Sequence, residues 1–240
     1  MKCFESNPDE RYAARWRVVD VACAAAALTI LAPVIAAIAM AVLATSGRPV
    51  LFAQERIGRR GVAFRIWKFR TMRPGDGVRV TTAGDRRVTA IGRWLRKLKL
   101  DEIPQLFNVL KGEMSLIGPR PEVPEYVNAE DPLWRAVLAA SPGITDLASL
   151  VYRNEEEILA SSDNPDVFYR QTIRPAKLRL NLQYIRSRGW GLDLELLLLT
   201  AYHSFCPWTF DRQRIEAAFI QGVRNFEPNL IHSVPRTLDR

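Results

Sequence analysis

The stretch VACAAAALTILAPVIAAIAMAVLA, residues 21–44, decides how the chain is organised. Its 24 residues carry no charge. As a straight helix it would measure about 36 Å, against a bilayer hydrocarbon core of about 30 Å. Two soluble readings compete. A buried core helix rarely stays uncharged for so long. A cleaved signal peptide has an apolar region of about 7–15 residues and a basic start, whereas Glu5, Asp9 and Glu10 precede this run. Pro33 stands at its middle and removes a helix hydrogen bond. Basic residues lie on both sides: Arg11, Arg15 and Arg17 before, Arg48, Arg56, Arg59 and Arg60 after. Lys and Arg favour the cytoplasmic side, so both flanks belong there. The expectation is a proline-broken helical hairpin that enters and leaves by one leaflet, with a single span as the alternative. Thr29 is a candidate partner for backbone groups freed at Pro33. Asp20 either pairs with a nearby Arg at head-group depth or caps the first helix.

Outward from this run the charge is uneven. The 240 residues carry a net charge of +8. Between Arg48 and Lys99 there are fifteen Lys/Arg and three Asp/Glu, a local +12, which leaves −4 for the remainder. Such a block favours anionic partners: nucleic acid, lipid head groups or phosphorylated substrates. Cys3, Cys23 and Cys206 are too scattered for a zinc site or a disulfide framework. His203 and His232 lie far from the dense motifs, which argues against histidine catalysis.

Pro49 to Arg70 reads as a β-hairpin. Val50 and Phe52 alternate with their neighbours, Gly58-Arg59-Arg60-Gly61 supplies the turn, and Phe64 and Ile66 alternate again. A regular second strand puts Lys68 and Arg70 on the face of Phe64 and Ile66. They are either a pair of phosphate-binding cations or a solvated basic edge. After a Gly/Pro/Asp-rich loop over 71–84, Ile91, Leu95 and Leu98 mark a helix whose other positions include Arg93, Arg96, Lys97 and Lys99. It lacks the interleaved aromatics of a nucleic-acid stacking platform. Next to a membrane segment, a basic helix near anionic lipid is the better fit, and nucleic acid is not an expected partner.

Leu100-Asp101-Glu102-Ile103-Pro104-Gln105-Leu106-Phe107-Asn108-Val109-Leu110 follows. Ile103, Phe107 and Leu110 form an apolar stripe, Asp101 is a natural N-cap, and Gly112 is a plausible stop. An acidic cap on an ordinary helix is one reading. The other is two adjacent carboxylates that hold a divalent metal and a diphosphate together, with one carboxylate free to attack phosphorus. In Ser115-Leu116-Ile117-Gly118-Pro119-Arg120-Pro121, prolines on both sides of Arg120 stiffen the backbone that presents its guanidinium. Arg120 is either a bidentate phosphate clamp or an exposed Arg on a rigid turn.

These blocks together resemble the catalytic domain of the monotopic phosphoglycosyl transferases, also called bacterial sugar transferases. They are Gly47-Arg48-Pro49, Phe52-Ala53-Gln54-Glu55-Arg56-Ile57-Gly58, Lys68-Phe69-Arg70-Thr71-Met72, Leu100 to Leu106, Asn108-Val109-Leu110 and Met114 to Glu122. Pro142-Gly143-Ile144-Thr145 resembles a further block, as do Tyr184 and Leu192-Asp193. The resemblance covers roughly residues 15–145. It implies that Asp101 attacks the β-phosphate of a UDP-sugar, releases UMP and carries the phosphosugar until a polyprenyl phosphate takes it. It implies that Glu102, with Asp101, holds Mg²⁺, and that Lys68, Arg70, Arg96 and Arg120 bind phosphates. It also implies a re-entrant helix broken at Pro33 in the bacterial cytoplasmic membrane, with the catalytic part on the cytoplasmic face. The absence of a multi-span segment before residue 15 resembles the short form of that family, and a homo-oligomer is compatible with it. Two departures stand out. Ala32 precedes Pro33 where the family often has Ser, and Asp146-Leu147-Ala148-Ser149-Leu150 replaces the usual continuation after Thr145. Sugar preference is therefore not carried over.

Pro175 opens a helix with Leu178, Leu182 and Ile185 on one face. Leu192 to Tyr202 is apolar but too short to span, and Trp190 and Trp208 flank it, so it is either a core helix or one lying in the interface. The expected fold is α-rich α+β: a re-entrant membrane hairpin within residues 1–46, a catalytic domain over 47–205 with interfacial helices and a small β-hairpin, and an extension over 206–240. Two rival functions are a membrane-anchored, anion-binding scaffold and a glycosyltransferase that releases UDP.

Overall fold

The computed structural model describes residues 8–74, 80–211 and Ile215, with side chains from Trp16 onward. Cys3, His232, the side chains of Arg11 and Arg15, residues 75–79 and nearly all of the 206–240 extension beyond Asp211 lie outside that description.

The apolar run is part of one helix, α1 (Pro8–Ser46), with Pro33 inside it. This corrects the expected pair of helices joined by a break. Proline forfeits one backbone hydrogen bond, and the alanine-rich flanks are strong helix formers that continue on both sides. The hydroxyl of Thr29 donates to the Ala25 carbonyl at 2.9 Å, so it does not serve the carbonyl that Pro33 leaves free. Both halves of α1 pack against the rest of the protein. Trp16 and Ala24, with Val19, Ala27 and Leu28 beside them, join the main core. Ile38 and Val42 form a second cluster with Phe69 and Leu95. Between these contacts Ile30 is 73% exposed.

Two side chains fix the first half. Asp20 is buried and accepts from the Leu116 amide at 2.9 Å, so it neither caps a helix nor stands at the protein surface. Arg17 donates to the Val109 and Leu110 carbonyls. These are among the last carbonyls of α3 (Leu106–Lys111), where a helix lacks internal partners and favours a cation.

The hairpin forms as read. Strands β1 (Leu51–Ile57) and β2 (Ala63–Phe69) pair antiparallel, with Phe52 opposite Lys68, Gln54 opposite Ile66 and Arg56 opposite Phe64. Helix α2 (Ala90–Lys97) is capped by the Thr89 hydroxyl, which accepts from the Gly92 amide at 3.0 Å. A second sheet was not foreseen: β3 (Ser115–Ile117) pairs parallel with β4 (Gly143–Thr145). Past its end the backbones of Gly118 and Gly143 touch, and a Cβ on Gly143 would lie 2.1 Å from the Gly118 nitrogen. Two blocks that read separately in the sequence are thus one unit, joined by Gly118 N–H to the Thr145 carbonyl (2.9 Å) and Gly143 N–H to the Pro119 carbonyl (3.0 Å).

The remaining helices are α4 (Pro132–Leu138), α5 (Leu147–Val151), α6 (Glu155–Ala160), α7 (Pro165–Phe168), α8 (Arg174–Ser187) and α9 (Trp190–Phe205). Helix α8 buries more than one face. Leu180 and Tyr184 enter the main core, Leu178 packs with Trp134 and Val137 of α4, and Leu182 and Ile185 are only half-buried. Helix α9 buries Leu196 and leaves Trp190, Leu194, Leu198, Tyr202 and Phe205 exposed along one stripe. Its first residue, Trp190, stacks on Trp16 of α1 at 4.3 Å. The result is a helix-rich protein with two small sheets and one long apolar helix near its start.

Candidate active site

Between the hairpin, α2, the turn Leu100–Gln105 and helices α4, α5, α6 and α8 lies a cleft of about 900 Å³. It is lined by Lys68, Arg70, Arg96, Asp101, Glu102 and Arg120, so the fold gathers all the chemically loaded positions read from the sequence.

Asp101 and Glu102 do not open an α-helix. They sit in a 3-10 turn that follows Lys99, whose backbone is left-handed (φ 57°), and no side chain caps that turn. The N-cap reading of Asp101 is therefore corrected. The tight turn, stiffened by Pro104, carries both carboxylates into the protein; Asp101 is 6% and Glu102 8% exposed. The stripe expected after them also shifts. Leu106 and Val109 are buried, whereas Phe107 is 51% exposed, because the 3-10 turn changes the angular register before α3 begins.

Glu102 is clamped. Arg120 donates to both of its oxygens, one at 2.9 Å, and Lys68 Nζ donates to Oε1, also at 2.9 Å. Burial alone would raise its pKa, but Arg120 and then Lys68 hold it well below the usual carboxylate range. Burial lowers the Lys68 pKa to about 8 despite the charge of Glu102. Burial also works against the charge on Arg120, and the pair with Glu102 more than offsets it, so its pKa is raised. Asp101 lies in the opposite situation. Its Oδ1 is buried with no hydrogen-bond partner, and burial followed by the adjacent charge of Glu102 pushes its pKa up.

Arg120 owes its position to the Gly118/Gly143 unit and to Asp146. The buried Asp146 accepts from the Arg120 amide at 2.9 Å with Oδ2 and from the Ser149 amide with Oδ1, capping α5. The sequence reading passed over Asp146. The available signal was an N-cap pattern, an Asp ahead of the apolar Leu147-Ala148 start. It also passed over Arg56, which donates to Glu122 and to the Pro121 carbonyl, and Tyr169, whose hydroxyl donates to Glu122.

The other two cations are committed elsewhere. Arg96 pairs with Glu156 of α6. Arg70 donates to the Ser46, Gly47 and Arg48 carbonyls at the end of α1, the last at 2.9 Å. Arg70 therefore caps the membrane-length helix, a use of its guanidinium that the sequence did not suggest. Its place on the cleft wall is compatible with the phosphate role expected for it, but the partners its guanidinium holds are backbone carbonyls.

A buried carboxylate pair, one member clamped and one without a partner, inside a cationic cleft beside a membrane-length helix, defines a site suited to a phosphorylated substrate at a membrane surface. The model of the family described as bacterial sugar transferase matches residues 11–206. The chain belongs to the bacterial sugar transferase family. It is 44% identical over 192 residues to the UDP-glucose:undecaprenyl-phosphate glucose-1-phosphate transferase of Caulobacter vibrioides, covering 78% of this chain and 68% of that one. It is 40% identical over 199 residues to a UDP-N-acetylgalactosamine-undecaprenyl-phosphate N-acetylgalactosaminephosphotransferase of Aeromonas hydrophila, covering 80% and 44%. It is 37% identical over 194 residues to an undecaprenyl-phosphate glucose phosphotransferase of Komagataeibacter xylinus, covering 77% and 34%. The chain thus spans between a third and a half of the last two relatives.

Proposed function

We propose that the protein transfers a sugar 1-phosphate from a UDP-sugar to a polyprenyl phosphate, through a phosphosugar held on Asp101. The observation that carries this reading is the unpartnered, buried Oδ1 of Asp101 in a cationic cleft. A carboxylate whose charge is so poorly compensated is costly to keep, and a nucleophile kept from water and from hydrogen bonds is ready to react. An oxygen of Asp101 forms a bond to the β-phosphorus, the bond from that phosphorus to the bridging oxygen breaks, and UMP leaves with the bond electrons. An oxygen of the polyprenyl phosphate then attacks the same phosphorus, giving the polyprenyl diphosphosugar and restoring the carboxylate.

Lys68 and Arg120 would bind the phosphate oxygens, exchanging some of their bonds with Glu102 for bonds to substrate. Arg96 lies on the same wall. The pair Asp101 and Glu102 fits Mg²⁺, which is usually bound by one or two carboxylates and completes its shell with water and substrate phosphate. The free Asp101 oxygen supports that assignment. When bound, Mg²⁺ would neutralise charge on the diphosphate.

The relatives' names give glucose in some cases and N-acetylgalactosamine in another, so the sugar does not follow from similarity. Two features support attachment to one leaflet of a bacterial cytoplasmic membrane, with the cleft on the cytoplasmic side. Both halves of α1 dock on the same folded body on either side of Pro33, and α9 presents an exposed apolar stripe that ends in Phe205, with Trp208 just beyond. Packing of both halves on one body fits attachment from a single side, which the basic residues on both flanks also favour.

The deciding experiment measures nucleotide release from purified protein with Mg²⁺, polyprenyl phosphate and a panel of UDP-sugars. UMP that requires Asp101 supports the reading. Release of UDP overturns it in favour of a glycosyltransferase, and release of neither across the panel favours the scaffold.

A further inference from the structure

Phe52 is an aromatic ring left out of the packing. It is 47% exposed and belongs to neither neighbouring cluster, although Val50, Phe64, Ile66 and Phe69 of the same hairpin all do. An exposed phenyl ring forgoes a stabilisation that burial would give, so its position is informative. Phe52 lies directly opposite Lys68 in the antiparallel register, and such partners point to the same face, their Cβ atoms about 5 Å apart. That face is the cleft wall: Phe52, Gln54 and Lys68 all line it. The ammonium of Lys68 in turn reaches Glu102. An apolar ring therefore stands one side chain away from the phosphate-handling cations.

Its other neighbour is the membrane helix. Strand β1 starts at Leu51, shortly after α1 ends at Ser46, and Pro49 between them also lines the cleft. Arg70 ties the end of β2 to the carbonyls that end α1, which holds this corner of the hairpin against the apolar helix. Pro49 and Phe52 are thus the cleft-lining residues that follow the apolar helix most closely along the chain.

We infer that Phe52, with Pro49, forms the seat for the first isoprene units of the acceptor lipid, holding its phosphate beside Lys68. This rests on the transferase reading for the identity of the acceptor. The geometry matches a prenyl phosphate, in which the hydrocarbon begins at the ester oxygen of the phosphate. A phosphate on Lys68 therefore places the first isoprene within reach of the opposite residue. The uracil of a UDP-sugar is separated from its β-phosphate by a second phosphate and a ribose, so a β-phosphate on Lys68 does not bring the base to the opposite residue.

The test is equilibrium binding of undecaprenyl phosphate to the full chain in nanodiscs, for wild type, Phe52→Ser and Phe52→Leu, with UDP-sugar binding measured in parallel. Thermal midpoints check that the variants fold, as expected for an exposed position. Phe52→Ser should weaken undecaprenyl phosphate binding about tenfold or more, Phe52→Leu should restore most of it, and UDP-sugar binding should not change. Equal lipid binding by all three proteins overturns the inference. So does a loss confined to the UDP-sugar, which would assign the ring to the nucleotide. If wild type binds the lipid and Phe52→Ser does not, but no UMP is ever released, the seat stands and the transferase reading fails.

Discussion

Asp101 and Glu102 are neighbours buried to nearly the same depth, yet Arg120 and Lys68 take both oxygens of Glu102 and leave Oδ1 of Asp101 without a partner. The 3-10 turn produces this asymmetry by pointing successive side chains in different directions. One carboxylate is stabilised as an anion, the other is held in reserve. Under the proposed function, stability and reactivity make opposite demands on Asp101.

Asp101→Asn should abolish turnover, by at least about a thousandfold as for other nucleophiles that act within a unit. It should also raise the thermal midpoint of the ligand-free protein, because it removes a buried, poorly compensated charge next to Glu102. Thermal melts without substrate and a UMP assay check the two effects. A variant that loses activity and also melts earlier would mean that Asp101 is a structural residue.

Arg70→Ala tests the capping role. Losing the guanidinium frees the Ser46, Gly47 and Arg48 carbonyls at the end of α1, and a cation at that position is worth up to about 2 kcal/mol. The expected outcome is a lower thermal midpoint with a KM for the UDP-sugar close to that of wild type. A KM raised tenfold with an unchanged midpoint would instead place Arg70 on a phosphate.

Much of this was legible because its signals are local. The hairpin announces itself by alternation and by the Gly58 to Gly61 turn, and the register then fixes that Lys68 faces inward with Ile66 and Phe64. The dense run from Leu100 to Arg120 located the cleft. What was not legible depends on approaches between distant segments. Nothing near Arg70 says that the end of α1 will present carbonyls to it, and nothing near Asp20 says that the Leu116 amide will be waiting. The parallel pair β3–β4 is too short for a pattern, and it exists because Gly118 and Gly143 let two backbones touch. Pro33 misled in another way. A proline removes one hydrogen bond, but a helix with many alanines and packing on both sides continues past it.

Stability should fall in mild acid through His203. It is 6% exposed, with its ring against Tyr202 and Phe210, and burial followed by the nearby charge of Arg153 lowers its pKa. The unfolded chain takes up this proton near pH 6.5 and the folded chain only lower. The folded state therefore keeps its full advantage above about pH 6.5 and loses it as the pH drops further. Thermal midpoints measured between pH 7.5 and 5 should fall less steeply in His203→Phe than in wild type. Identical slopes would remove His203 as a source of acid sensitivity.

Asp146 offers the sharpest test of how the site is positioned. Its two oxygens serve different segments: Oδ2 accepts from the amide of Arg120 and Oδ1 from the amide of Ser149 in the first turn of α5. Asp146→Asn keeps one acceptor oxygen and turns the other into a donor, which would face an amide N–H. Losing an N-cap costs about 1 kcal/mol and stranding a buried amide about 1–3 kcal/mol, so both Asp146→Asn and Asp146→Ala should melt earlier than wild type. Because the Arg120 backbone is the anchor of the Glu102 clamp, the asparagine variant should also lose turnover beyond what its stability explains. A shift of even about 1 Å in a positioning group can cost on the order of a hundredfold. The check is kcat and KM at a temperature where both variants are folded. A lowered kcat with an intact fold assigns Asp146 to holding Arg120, whereas normal kinetics with a lowered midpoint would confine it to capping α5.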